Sequence, residues 1–169
     1  MPLKKETKIY IDGLDKDIGK DFGNVVNDPS KADVIIMYIH TVFNGNQESG
    51  LNRIFDNFLS TFFPNGDLEF NEEIKNKIKK YSKHKELIVV VDLNRPAILE
   101  TIKESSSGVI ATFGVLDQII FEGIYGKFNP SGKLPFEIPS SMEAVYNQKE
   151  DLPDDSLNPT YEFGYGISY

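Results

Sequence analysis

The stretch that decides the fold covers residues 113–139 and reads FGVLDQIIFEGIYGKFNPSGKLPFEIP. It follows an apolar run of strand length, and Gly114 permits a tight turn at its start. Apolar residues then recur at helical spacing: Leu116, Ile119, Ile120 and Ile124. Gly126 stands where a helix commonly ends in a left-handed residue, and Asn129–Gly132 has the composition of a turn. The stretch therefore predicts a strand end, a helix, a turn and a strand over Leu134–Pro139, whose two prolines mark either a sheet edge or a strand end.

Strands and helices also alternate upstream of this stretch. The continuous apolar runs Val34–Ile39 and Leu87–Leu93 are typical of parallel strands that are buried on both faces. A shorter strand is predicted over Lys8–Asp12, Asn71 can cap a helix, and Pro96 is predicted to open another one. This order predicts a single α/β domain over residues 1–169. We expect a three-layer sandwich with a mostly parallel sheet of about five or six strands and helices on both faces.

Composition excludes several functional classes. The chain of 169 residues has no cysteine, which excludes disulfides, thiolate nucleophiles and cysteine-based metal sites. Its net charge of −8 and the lack of a basic stripe argue against nucleic-acid binding. No apolar run reaches the ~18 residues of a membrane-spanning helix. The compartment stays open, because a cysteine-free chain tolerates either an oxidising or a reducing one; no signal peptide is visible at the N-terminus, which slightly favours the cytoplasm.

The usual cofactor and metal motifs are missing. Neither GxGxxG nor GxxxxGK[ST] occurs, so a phosphate-binding loop is not expected. The two histidines, His40 and His84, fall in different predicted elements and do not form a ligand cluster. We therefore expect neither a cofactor nor a metal ion.

One polar segment follows directly after a buried strand. Residues 40–50 read HTVFNGNQESG and come after Val34–Ile39. Ligand crevices in open α/β sheets form at the carboxyl ends of the strands, so this segment is either a ligand-binding loop or a plain surface connection. The apolar residues from Leu51 to Phe63 then recur at helical spacing and are either core or an interface.

The sequence resembles the C-terminal α/β sandwich domain of glycoside hydrolase family 3. The resemblance rests on three motifs in the same order: residues 114–139, Ser141–Val145, and the closing segment Tyr161–Tyr169. That family includes β-glucosidases, β-xylosidases and β-hexosaminidases. The resemblance implies that the nucleophilic aspartate belongs to a preceding (β/α)8 barrel domain, which is absent from this chain. The expected enzyme is a retaining β-glycosidase acting on terminal β-linked sugars, with the isolated chain inactive.

The resemblance also implies where the site residues lie. In many members the C-terminal domain lends the active site a loop that carries the acid/base glutamate, and this loop corresponds to residues 40–50. The related branch tends to read Thr-Pro-aromatic-Glu there, whereas this chain reads Thr41-Val-Phe-Asn44, and asparagine cannot donate a proton as an acid does. Glu48 is the only carboxylate in the loop and is the candidate catalytic residue, although it is equally compatible with a solvated loop glutamate. The candidate substrate-binding residues are His40, Thr41, Phe43 and Asn44.

Two other functions stay open. Asn44, at the position where an acid is expected, is consistent with a non-catalytic carbohydrate-binding or domain-assembly module. A free-standing flavodoxin-like ligand binder is a further alternative. The expected partners are the barrel domain of the same enzyme and a β-glycoside substrate, with no nucleic acid and no membrane.

Overall fold

The protein folds around one parallel sheet. The computed structural model describes residues 2–41, 67–83 and 85–168, and in these residues five strands pair in the order β2-β1-β3-β4-β5. The strands are β1 (Lys8–Asp12), β2 (Asn24–Val25), β3 (Val34–His40), β4 (Glu86–Asp92) and β5 (Gly108–Thr112). The α-helices are α1 (Lys16–Lys20), α2 (Glu72–Ser82), α3 (Glu100–Ser105), α4 (Asp117–Ile124) and α5 (Met142–Tyr146).

Both faces of the sheet are covered, which confirms the predicted three-layer α/β sandwich. Ile35 and Met37 of β3 share one buried cluster with Ile78 of α2 and Ile102 of α3. The alternate residue Ile36 belongs to a second cluster on the other face, together with residues of α4. Because successive side chains of a strand point to opposite faces, a central strand covered on both sides must be apolar throughout.

The helix that Pro96 is predicted to open begins later than expected. Helix α3 starts at Glu100, so the predicted start is wrong. The backbone before it bonds elsewhere: the N–H of Ile98 donates to the carbonyl of Leu68 at 3.0 Å, and Arg95 Nη2 donates to the carbonyl of Asp67 at 2.7 Å. These tertiary bonds hold the connection in a non-helical path.

The predicted edge strand over Leu134–Pro139 is reduced to an isolated antiparallel bridge between Ile138 and Tyr161. The N–H of Ile138 donates to the carbonyl of Tyr161 at 2.8 Å, and the N–H of Leu134 donates to the carbonyl of Tyr165 at 2.9 Å. Pro135 and Pro139 have no N–H, so a continuous ladder cannot form here. The segment instead ties the C-terminal residues to the domain, with Ile138 fully buried.

Candidate active-site edge at the carboxyl ends of the strands

Three neighbouring strands end side by side. His40 of β3 is in register with Asp92 of β4, which is in register with Thr112 of β5. We call these three residues the carboxyl edge. Adjacent strands lie about 4.8 Å apart, so the backbones of His40 and Thr112 are about 10 Å apart. In open α/β sheets this is the edge where ligands bind.

Asp92 is the buried centre of the carboxyl edge, with 5% of the residue exposed. Its Oδ1 accepts hydrogen bonds from the hydroxyl of Thr112 at 3.1 Å and from the N–H of Gly114 at 2.8 Å. Its Oδ2 lies 3.4 Å from Nδ1 of His40. A buried carboxylate requires such partners, because desolvation without them is costly. Asp92 thereby links the end of β3 to the turn after β5.

His40 lies at the surface of this edge. Its side chain is 61% exposed, and its ring meets the ring of Tyr38 edge to face at a centroid distance of 4.8 Å. Burial, followed by the nearby carboxylates of Asp92 and Asp117, raises the pKa of Tyr38. Asp92 and Tyr38 thus contact the imidazole from two sides among the described residues. This position suits a ligand contact, which stays a prediction for His40.

Thr41 is turned inward. It is buried, and its hydroxyl donates to the backbone carbonyl of Asp92 at 3.2 Å and accepts from the N–H of Asn94 at 3.2 Å. The N–H of Thr41 also donates to the carbonyl of Asp92 at 3.1 Å. These bonds hold Thr41 against the end of β4. A substrate contact by Thr41 stays a prediction, and its hydroxyl is already engaged by the backbone.

The other predicted site residues lie outside the described residues. They are Phe43, Asn44 and Glu48, and the apolar stripe from Leu51 to Phe63 lies outside as well. The roles predicted for these residues therefore stay predictions. What the structure brings together is the start of the loop, His40 and Thr41, with Asp92 between them and β5.

Strand β1 ends short of the carboxyl edge. Asp12, its last residue, is in register with Met37 of β3, and its carboxylate accepts from the Tyr81 hydroxyl at 2.9 Å and lies 2.7 Å from Lys77 Nζ. The chain then turns at Gly13, which has a φ of +95° and would place a Cβ 2.7 Å from the carbonyl oxygen of Tyr38. A side chain at residue 13 would collide there, so the close crossing requires glycine. Asp12 is an ion-paired structural carboxylate.

Sequence reasoning missed Asp92 as a site residue. The sequence did carry one signal: Asp92 lies near the end of the apolar run Leu87–Leu93. An acidic residue is rarely buried unless it has a partner.

Within the described ranges, no three acidic or histidine side chains approach one another as metal ligands would. No described helix has the length and apolarity to cross a membrane.

The fold and this edge define a doubly wound α/β domain with a buried acid at the ends of its central strands. The chain belongs to the family described as the glycosyl hydrolase family 3 C-terminal domain, whose match covers residues 2–169. It is 33% identical to a periplasmic beta-glucosidase/beta-xylosidase of Dickeya chrysanthemi over 100% of this chain and 25% of that protein. It is also 33% identical to a probable beta-glucosidase C of Aspergillus flavus, covering 100% of this chain and 26% of the relative. The chain thus spans about a quarter of the length of these curated relatives.

Solved structures agree on the fold. Beta-glucosidase 3B from Thermotoga neapolitana, in complex with glycerol, superposes with a TM-score of 0.69 at 16% identity over 100% of this chain and 35% of that chain. A beta-glucosidase from Listeria innocua in complex with isofagomine gives a TM-score of 0.69 at 19% identity, over 100% of this chain and 31% of that one. At such identities the likeness establishes the fold alone.

Proposed function

We propose that this chain is the C-terminal domain of a retaining β-glycosidase that hydrolyses terminal β-linked sugars, and that it lends residues 40–50 to the active site. The observation that carries the proposal is the family match over residues 2–169, together with relatives that are named beta-glucosidases and are about four times as long. The remainder of such an enzyme would hold the barrel domain with the nucleophilic aspartate. The β-glycoside would bind between the two domains.

The chemistry assigns one role to each domain. Retaining hydrolysis needs a carboxylate nucleophile and a second carboxylic acid that protonates the leaving oxygen, about 5–5.5 Å apart. Asp92 is not proposed as the acid, because both of its oxygens face protein groups: Oδ1 accepts from Thr112 and Gly114, and Oδ2 lies 3.4 Å from His40 Nδ1. Glu48 is the only carboxylate in residues 40–50 and is proposed as the acid, with His40, Thr41, Phe43 and Asn44 beside the sugar.

The first test uses the isolated chain. It should show no turnover of an aryl β-glucoside, because the nucleophile belongs to the missing domain. Replacing the matching quarter of the Dickeya chrysanthemi enzyme with this chain should restore turnover. Activity of the purified 169-residue chain itself would contradict the proposal.

The second test addresses Glu48 in that chimera. The change Glu48→Gln should lower kcat about 100-fold or more for substrates with poor leaving groups, since general acid catalysis contributes about 10²–10⁴-fold. The loss should be much smaller for dinitrophenyl glycosides, whose leaving group needs no proton. The matched control is Glu104→Gln, an exposed glutamate of α3, which should change neither rate.

A non-catalytic module is the second candidate function. It is favoured by Asn44, which stands where the related branch carries an acid. Under this reading the domain would bind carbohydrate or assemble with the barrel without taking part in proton transfer. Equal turnover in the Glu48→Gln chimera and its parent would select this function.

A further inference from the structure

An apolar surface lies exposed where β5 passes into α4. Phe113, Val115, Leu116 and Ile119 are 50%, 41%, 77% and 42% exposed. Single exposed apolar residues are common, but four within seven consecutive residues form a patch of the kind that marks an interaction site. We call these four residues the β5–α4 surface.

The local structure does not require these side chains. Leu116 occupies the N-cap position of α4, where no side chain caps the helix and where serine, threonine, asparagine or aspartate would be preferred. The inward face of α4 is formed by other residues, namely Ile120, Phe121 and Ile124. Phe113 is half exposed, and its ring meets the ring of Phe136 edge to face at a centroid distance of 6.1 Å. The exposed leucine and phenylalanine thus contribute little to the domain that carries them.

The β5–α4 surface borders the carboxyl edge. Asp92 Oδ1 accepts from the N–H of Gly114 at 2.8 Å, and Asp92 Oδ2 lies 3.4 Å from His40 Nδ1. The same carboxylate therefore positions the turn inside this surface and the residue that opens the 40–50 loop. On the helix side, Asp117 Oδ2 accepts from the N–H of Asp15 at 2.7 Å, which fastens the start of α4 to the turn before α1. The surface is held in place before any partner binds.

We infer that the β5–α4 surface is the docking site for the catalytic barrel domain; this rests on the function proposed above. The relatives extend about three times this chain's length beyond the matched quarter, so a large partner is available within the same polypeptide. A domain that covers Leu116 and Phe113 would reach the carboxyl edge, because Phe113 directly follows Thr112. A second copy of this chain could also bury the patch, but it would bring no nucleophile to the carboxyl edge.

The test compares two leucines in the chimera with the Dickeya chrysanthemi barrel. Leu116→Asp places a charge in the proposed interface. The control is Leu157→Asp, which changes a leucine of similar exposure, 80%. Leu157 lies three residues before Thr160, whose hydroxyl donates to Glu100 of α3. We expect Leu116→Asp to lower kcat/KM about tenfold or more and to reduce the melting temperature of the chimera. In the isolated chain both variants should melt within about 2 °C of the parent, since neither side chain is buried.

Amide hydrogen exchange gives a readout that does not depend on activity. Residues 113–119 should exchange more slowly in the chimera than in the isolated chain, and Leu116→Asp should remove that protection. If residues 113–119 are protected in the chimera but the chimera does not turn over substrate, the docking site is supported and the proposed function is rejected. Turnover with identical behaviour of the two leucine variants would keep the function and overturn the docking site. A dimer of the isolated chain that Leu116→Asp dissociates would also overturn it, because a second copy would then occupy the surface.

Discussion

Asp92 shows how one buried residue can connect the ends of neighbouring strands. Its two carboxylate oxygens face different strands, one toward Thr112 and Gly114 and the other toward His40. His40 Nδ1 lies 3.4 Å from Oδ2 and its side chain is mostly exposed, so this contact is the less buried of the two.

We expect Asp92→Ala to lower the free energy of unfolding by about 2–3 kcal/mol, because it leaves the Gly114 N–H and the Thr112 hydroxyl without their acceptor. Asp92→Asn keeps an oxygen at Oδ1 and should cost less than about 1 kcal/mol. Urea denaturation at pH 7 measures both. Equal losses in the two variants would show that the acceptor at Oδ1 is not what holds the turn.

At the scale of elements, the segment after the sheet depends on Glu137. This residue is 7% exposed, and its Oε1 accepts from Gln148 Nε2 at 2.8 Å and from the N–H of Ser156 at 2.9 Å. Its own N–H donates to Asp154 Oδ1 at 3.1 Å. One buried carboxylate thus anchors both ends of the loop that follows α5. Because this loop lacks regular strand pairing, these hydrogen bonds hold it in place where a β-ladder would otherwise do so.

We expect Glu137→Ala to loosen this loop while the sheet stays folded. Trypsin cleavage after the exposed Lys149 should accelerate about tenfold, as the loss of about 1.4 kcal/mol of local stability would produce. Glu137→Gln retains an oxygen acceptor and should cleave nearly as slowly as the parent. Mass spectrometry of the early digest checks both variants. Cleavage that begins in β3 or β4 instead would show that Glu137 supports the whole domain.

At the scale of the whole molecule, several partly buried tyrosines couple stability to alkaline pH. Burial raises the pKa of Tyr125 to about 12 and, with Asp12 as a further cause, raises the pKa of Tyr81. Burial also raises the pKa of Tyr161. A tyrosine of the unfolded chain ionises near pH 10, so above that pH the folded state holds protons that the unfolded state has released.

The contribution of these tyrosines to the free energy of unfolding should therefore be constant below about pH 10. It should fall as the pH rises from 10 to 12. The limiting slope is about 1.4 kcal/mol per pH unit for each such tyrosine. Urea denaturation between pH 8 and 11 measures the fall. Tyr125→Phe should flatten it without loss at pH 8, because the buried Tyr125 hydroxyl has no hydrogen-bond partner among the described residues. A steeper fall in the variant would contradict this.

The elements with strong local signals were predictable. Val34–Ile39 and Leu87–Leu93 indicated buried parallel strands, and both are central strands of the sheet. The helical spacing after Leu116 and the end near Gly126, which has a φ of +69°, agree with α4. The start of α3 and the path of residues 134–139 were not predictable, because hydrogen bonds to residues distant in sequence decide them.

The sequence alone determined that the domain is an α/β sandwich, that a polar segment follows the run Val34–Ile39, and that Glu48 is the only acid of residues 40–50. These follow from composition and periodicity, which act over a few residues. Only the tertiary structure decided that Asp92 joins His40 to Gly114, and that Leu116 and Phe113 stay exposed. The physical reason is that sheet register and burial arise from contacts between residues far apart in the chain, and local preferences do not contain them.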